Sequence, residues 1–505
     1  MTRAALVANG PVSGASPGLA TLVSNAPAHL LLSALLSFGF AGAYYVDVSA
    51  NGKILSVLGI VLVMGALHAA LFHPGRYPLL LVAYLPFNAF YPFFGQGESV
   101  GLNMTNLLLA LGGVAWISSR LSRRKRLPLG TIELLLLIFI SIGLVNVVAS
   151  WVMSGGPADA VTSRMEGVGS AGSVLDQAML FKRWVLPFGL FFVVRGVMED
   201  RKGLTHVLAA MMWCTFLVAA LTWRDGIESG DRSSIEDSRV GGILLQPNSM
   251  GAFLAYYGMP FLGLFLSAKG LGRRALYLAG FLVALRASLF TFSRGAYLAF
   301  ALGSSLVLLL HNPLYLVGMG GVAVSFPEMV PGSVWTRLGI TSTRSEEIYD
   351  ESMTSNADRS VNQRFVLWRA GVKMSRDYPV LGVGLGRFPE KIDQYTEVAL
   401  SENDPRDAHN AYLLTAAELG IPAAMVMVVM LLWLAATTTV LYFRRRARED
   451  RALPLAFLGT WAATVSSCFW GSRFSDESVI GYFWILAALI VVLHHLSRTS
   501  LDTSR

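Results

Sequence analysis

Residues 404–424 read DPRDAHNAYLLTAAELGIPAA, with two acids, an arginine, a histidine and an amide standing directly before an apolar run that continues to Tyr442. A helix needs roughly 20 apolar residues to cross a bilayer, and this run supplies them. The polar groups therefore sit at the lip of a membrane span. The rest of the chain agrees in character. Its 505 residues are 54% hydrophobic and only 14% charged, with a mean hydropathy of +0.54, and such values exclude an ordinary soluble domain.

Hydropathy windows give 14 apolar runs, at 29–46, 54–71, 77–94, 104–119, 130–153, 180–197, 204–222, 249–267, 274–291, 296–311, 314–327, 410–442, 453–471 and 478–496. The runs 77–94 and 314–327 carry the weakest signal, and losing two runs leaves 12 without changing parity. The expected fold is an all-α polytopic membrane protein of about 12–14 transmembrane helices with one large outward-facing loop between late spans. Its parts are a flexible cytoplasmic tail (1–28), N-terminal helices (29–179), central helices (180–327), the large loop (328–409) and C-terminal helices (410–505). The linkers RLSRRKR (120–126), RGVMEDRKG (195–203), AKGLGRR (268–274) and FRRRARED (443–450) are basic and share one side in this count. By the positive-inside rule that side is cytoplasmic, both termini lie there, and every long linker is exported. A cleaved signal peptide is not expected, because residues 1–28 lack the basic region and short apolar core of one.

The formal charge of +8 follows the span ends as orientation signals do, so the expected surroundings are membrane lipid and not nucleic acid. Cys214 and Cys468 each fall inside an apolar run, which leaves neither a disulfide framework nor a thiolate metal site. HExxH, a P-loop and Asp-x-Asp are all missing from the sequence. No metal and no cofactor is expected.

The candidate chemistry lies on the outer side. In VNQRFVLWRAGVKMSRDYPVLGVGLGRF (361–388), Phe365, Trp368 and Val372 fall at helical spacing, and Tyr378-Pro379 should end that helix, which would lie along the membrane surface. The Gly382-Gly384-Gly386 run that follows has no preceding strand, so it reads as a flexible turn and not as a nucleotide loop. His409 and Asn410 come next, with Glu418 about two helical turns further on. An acid at that depth marks either a functional site or a structural partner for an arginine on a neighbouring helix, and the sequence leaves both open. Three outer arginines complete the set: Arg239 in DSRVGGILLQPNSMG, a stretch that also holds Asn248, Arg294 in TFSRGAY, and Arg364 in NQRFVLW. Planar guanidiniums gathered at a membrane lip suit a pyrophosphate. Arg286, midway along an apolar run, is a further supporting candidate and could pair with Glu418.

The order SRVGGILLQPNSMG, FTFSRGAYLAF, RFVLWRAGVKMSRDYPVLGVGLGRF and DAHNAYLLTAAELGIPA resembles the O-antigen ligase and O-antigen polymerase superfamily, over roughly residues 180–440. The resemblance implies a metal-independent, inverting glycosyltransferase in the bacterial inner membrane, with its active site facing the periplasm. Its partners would be a polyprenyl-pyrophosphate-linked glycan donor of undecaprenyl type and a saccharide acceptor, either the lipid A core or a growing glycan. It maps the pyrophosphate-binding arginines onto Arg239, Arg294 and Arg364 and the essential histidine onto His409, so that His409, Arg239 and Arg294 would carry catalysis. Asn248, Asn410, Glu418 and Arg286 would support them. Family members commonly have about 12 spans, fewer than the 14 runs counted here. A transporter that flips lipid-linked saccharides is the alternative, since many spans and intramembrane charges suit one too.

Overall fold

The computed structural model describes residues 28–46, 52–88, 103–123, 129–153, 174–229, 238–325, 356–396, 407–445 and 447–502. Residues 1–27 of the expected tail, the segment 154–173, and the parts of the long loop at 328–355 and 397–406 lie outside them. The described residues form seventeen α-helices and no strand. In chain order these are α1 (Ala28–Tyr45), α2 (Gly52–Phe72), α3 (Tyr77–Tyr84), α4 (Met104–Arg123), α5 (Thr131–Met153), α6 (Val174–Val197), α7 (Arg201–Glu228), α8 (Pro247–Ser267) and α9 (Leu271–Leu289). Then follow α10 (Arg294–His311), α11 (Pro313–Ser325), α12 (Asn356–Asp377), α13 (Phe388–Lys391), α14 (Ala411–Leu419), α15 (Ile421–Arg444), α16 (Ala452–Cys468) and α17 (Glu477–Asp502).

Eight of these, α1, α2, α5, α7, α8, α10, α15 and α17, are long and apolar enough to cross a membrane. The two weak runs are the short ones: 77–94 gives α3 followed by a 3-10 turn at Leu85–Phe87, and 314–327 gives the 13-residue α11. The apolar run 410–442 is not one helix. It breaks at Gly420, whose φ of +90° is costly for any side chain, into the nine-residue α14 and the long α15.

The core lies along α8 and α17, the two most enclosed spans. α8 packs on α9, α10 and α16, and α17 packs on α6. Small residues permit the close approach in lipid: Gly263 lies against the Ala456 backbone and Gly303 against the Gly459 carbonyl.

The two ends of the bundle differ chemically. At one end Arg448 donates to the Leu266 carbonyl (2.7 Å), Arg201 meets Asp450 (3.3 Å) and Lys269 meets Glu449 (3.6 Å). These are three of the four linkers that the sequence groups as one basic side; the fourth, 120–126, lies partly outside the described residues. At the other end α8, α10, α14 and α17 all begin, and there the candidate site assembles.

Candidate functional site

Arg239 stands in the loop entering α8. Its Nε donates to the Thr291 carbonyl (3.3 Å) and its Nη2 to Asn248 Oδ1 (2.7 Å), while Val240 N–H donates to the Phe290 carbonyl (3.1 Å). Asn248 thus aims a guanidinium. The same turn leads to Ser293, which caps α10 by accepting from Ala296 N–H (3.4 Å), and so places Arg294 as the first residue of that helix. A cation at a helix N-terminus opposes the macrodipole by about 0.3–1 kcal/mol, a placement that makes sense where an anion is to be held.

Arg364 comes from α12. Burial lowers its pKa first, and the neighbouring guanidiniums of Arg294, Arg473 and Arg239 lower it further. No described residue accepts a hydrogen bond from it or pairs with it. A half-buried guanidinium with three others as neighbours is costly unless a counter-charge balances it. Arg473 is the member that sequence reasoning missed. It stands in the short connection between α16 and α17, bonds Ser249 Oγ through Nη1, and lies 4.0 Å from Asp476 Oδ2. Arg239, Arg294, Arg364 and Arg473 therefore gather at the end of the bundle where α8, α10, α14 and α17 begin.

His409 lies beside them, held at φ +47° in the left-handed region, which costs a non-glycine residue on the order of 1 kcal/mol. Its Nδ1 is 3.5 Å from Asp407 Oδ2, and Asp407 Oδ1 accepts from Ser472 Oγ (2.8 Å). No described residue bonds Nε2. Burial lowers the histidine's pKa below its usual 6.5, Asp407 opposes that shift, and Arg364 and Arg473 add to it. Neutral imidazole with a bare Nε2 is the form in which histidine accepts a proton.

The structure places the supporting candidates as follows, and it does not bring Arg286 and Glu418 together. Asn410 makes no described hydrogen bond to the imidazole. Its Oδ1 accepts from Leu413 N–H (3.0 Å) and caps α14, and Asp407 takes the place beside the ring. Glu418 is buried and pairs with no arginine among the described residues: it accepts from Phe388 N–H (3.2 Å), so it holds the glycine run. Arg286 stands 4.0 Å over the Phe290 ring and not on Glu418.

The glycine run is an ordered clamp and not a flexible turn. Gly382, Gly384 and Gly386 have positive φ; Val383 and Gly384 donate to the carbonyls of Ala417 (2.8 Å) and Glu418 (3.2 Å), and Asn146 on α5 accepts from Leu385 N–H (3.0 Å). A side chain on Gly382 would start 2.3 Å from the Glu418 carbonyl carbon. α12 does end at Asp377 as the Tyr378-Pro379 pair dictates, but its buried face is Leu367, Ala370 and Met374, and Phe365 and Val372 are exposed. Gly371 explains the choice, because it lets α12 approach Leu413 of α14 closely.

The fold and this constellation define a polytopic helical membrane protein with a cluster of arginines and a histidine at one end of its bundle. Residues 279–428 match the family model described as O-antigen ligase, so this part of the chain is similar to that family. The match supports a glycosyltransferase-like enzyme in polysaccharide assembly. It covers Arg286, Arg294, Arg364, His409, Asn410 and Glu418, and leaves Arg239, Asn248 and Arg473 outside. No curated protein matches the chain.

Proposed function

We propose that this protein transfers a glycan from a polyprenyl-diphosphate donor to a saccharide acceptor at the membrane surface opposite the basic linkers, the outer face of a bacterial inner membrane. The observation that carries the reading is Arg364, a half-buried cation whose neighbours are Arg239, Arg294 and Arg473, next to a histidine whose Nε2 no described residue bonds. A diphosphate diester is the anion that a membrane lip and several guanidiniums would select together: its lipid tail stays in the bilayer and its sugar in water.

The chemistry follows from these positions. The acceptor hydroxyl oxygen attacks the anomeric carbon from the side opposite the diphosphate and inverts it. The bond from that carbon to the phosphate oxygen breaks, its electron pair stays on the diphosphate, and the hydroxyl proton passes to His409 Nε2. Negative charge grows on the leaving group, so fixed guanidiniums stabilise the transition state more than the ground state. Asp407 keeps the imidazole turned so that Nε2 faces the reaction, and stabilises the imidazolium once formed. The charge supplied by the arginines is the part that a metal ion plays in other transferases, so the reaction proceeds without one.

The test is transfer by purified protein in detergent, with a polyprenyl-diphosphate oligosaccharide and candidate acceptors in the presence of a chelator. Wild-type activity should survive chelation, His409→Ala should lose about 10²–10⁴-fold in rate, and Arg294→Ala should fall comparably. An arginine variant at normal membrane level with unchanged transfer would remove the leaving-group role.

A further inference from the structure

The arginines act on the breaking bond and the histidine on the moving proton, which leaves the sugar rings themselves without a grip. Beside these groups lies a cluster of aromatic side chains that no step above uses. Phe365 and Trp368 meet edge to face with centroids 5.6 Å apart, and Trp368 and Trp470 lie 5.7 Å apart with planes inclined by 39°. Phe365 is 51% and Trp470 38% exposed.

Three ties hold the cluster against the site. Trp368 Nε1 donates to the carbonyl of Ala408, the residue before His409 (3.0 Å). Trp470 Cβ lies 3.3 Å from where a side chain on Gly295 would begin, next to Arg294. Two residues after Trp470, Ser472 bonds Asp407, the partner of the histidine (2.8 Å). The rings thus border the base on one side and the anion site on the other.

An indole in a membrane belt sits with its N–H toward headgroups and water. Trp368 instead spends its N–H on the protein's own backbone, which locks the plane of the ring. A locked ring with open neighbours, beside a histidine and four arginines, is built to receive a flat face. A pyranose offers one: its axial C–H bonds make an apolar face, which an aromatic ring can cover while the equatorial hydroxyls stay in water.

We propose that Phe365, Trp368 and Trp470 form a stacking subsite for a pyranose ring of the glycan substrate, adjacent to the bond being made. The proposal rests on the transferase reading and adds the part that recognises sugar. The ring belongs either to the donor glycan or to the acceptor, and two arms of one experiment separate them. In the first arm, wild type, Trp470→Leu and Trp470→Phe are titrated with a polyprenyl-diphosphate oligosaccharide and with bare polyprenyl diphosphate. In the second, KM is measured for the acceptor saccharide at saturating donor.

Trp470→Leu should weaken one of the two sugar-bearing substrates about tenfold, about 1.4 kcal/mol, with bare polyprenyl diphosphate binding unchanged and Trp470→Phe close to wild type. Loss in the first arm assigns the ring to the donor, and loss in the second assigns it to the acceptor. Unchanged constants for both substrates in Trp470→Leu would overturn the subsite, make the rings a membrane belt only, and leave the arginine site standing. Failure of the wild type to bind either lipid would overturn the transferase reading and the subsite with it.

Discussion

Asp407→Asn and Arg473→Gln should move the acid limb of the rate profile in opposite directions. His409 must be neutral to take the acceptor proton, so the rate falls as pH drops through its pKa. That pKa already lies below 6.5, chiefly because the ring is buried. Asp407 stabilises the imidazolium from 3.5 Å. Two unit charges at that separation interact by about 1.2 kcal/mol in bulk water and about 4.7 kcal/mol at an effective dielectric of 20. The side chains are 28% and 42% exposed, which puts the value near the lower bound, at about 1.4 kcal/mol or one pH unit. Removing the carboxylate charge therefore lowers the midpoint by about one unit. It also releases the ring from its orienting partner, so the plateau kcat falls as well. Arg473 acts with the opposite sign, and Arg473→Gln raises the midpoint by relieving repulsion of the imidazolium. The assay is kcat/KM for transfer between about pH 4.5 and 8.5. Displacement of both acid limbs in the same direction, or a plateau loss with no displacement in either variant, would refute His409 as the titrating base.

Arg364→Gln should lower kcat/KM roughly 10- to 100-fold, the equivalent of one charge-assisted hydrogen bond worth about 1.5–3 kcal/mol, with much of the loss in kcat because leaving-group charge develops late. Steady-state kinetics at two salt concentrations checks it. Glu418→Ala should destabilise the protein by about 1–3 kcal/mol by orphaning the buried Phe388 N–H, whereas Glu418→Gln keeps an acceptor there and stays near wild type in thermal unfolding. Gly420→Ala should be more damaging than either, since its φ is +90° and the added carbon would start 2.1 Å from the Val380 carbonyl oxygen; low yield of folded protein in detergent is the expected readout.

Hydropathy alone carried the helical, membrane-spanning architecture, because lipid demands long apolar helices and their runs are local in sequence. Arg239, Arg294 and Arg364 stood out in the sequence for a related reason, since a positive charge at the non-basic end of a span is uncommon, and the structure brings them together. Arg473 escaped because its connection is a few residues long and reads as an ordinary link between spans; only the fold brings it to Ser249, 224 residues away. Asp407 was visible in DAHN, but its pairing with Ser472 spans 65 positions and cannot be seen locally. Asn410 and Glu418 were selected for their polarity, and both turned out to satisfy backbone N–H groups, a use that composition does not distinguish from catalysis. Gly420 split an apolar run that hydropathy treats as continuous, because a window averages over one residue and the backbone does not.

Identifying the lipid released during turnover is the most direct measurement. Purified protein is given a polyprenyl-diphosphate oligosaccharide and an acceptor, and both products are followed by mass spectrometry and by NMR of the new anomeric linkage. The account predicts bare polyprenyl diphosphate in equal amount to a glycoside of inverted configuration. Donor that stays chemically intact while crossing the bilayer of sealed vesicles would contradict it and make the protein a carrier of that lipid.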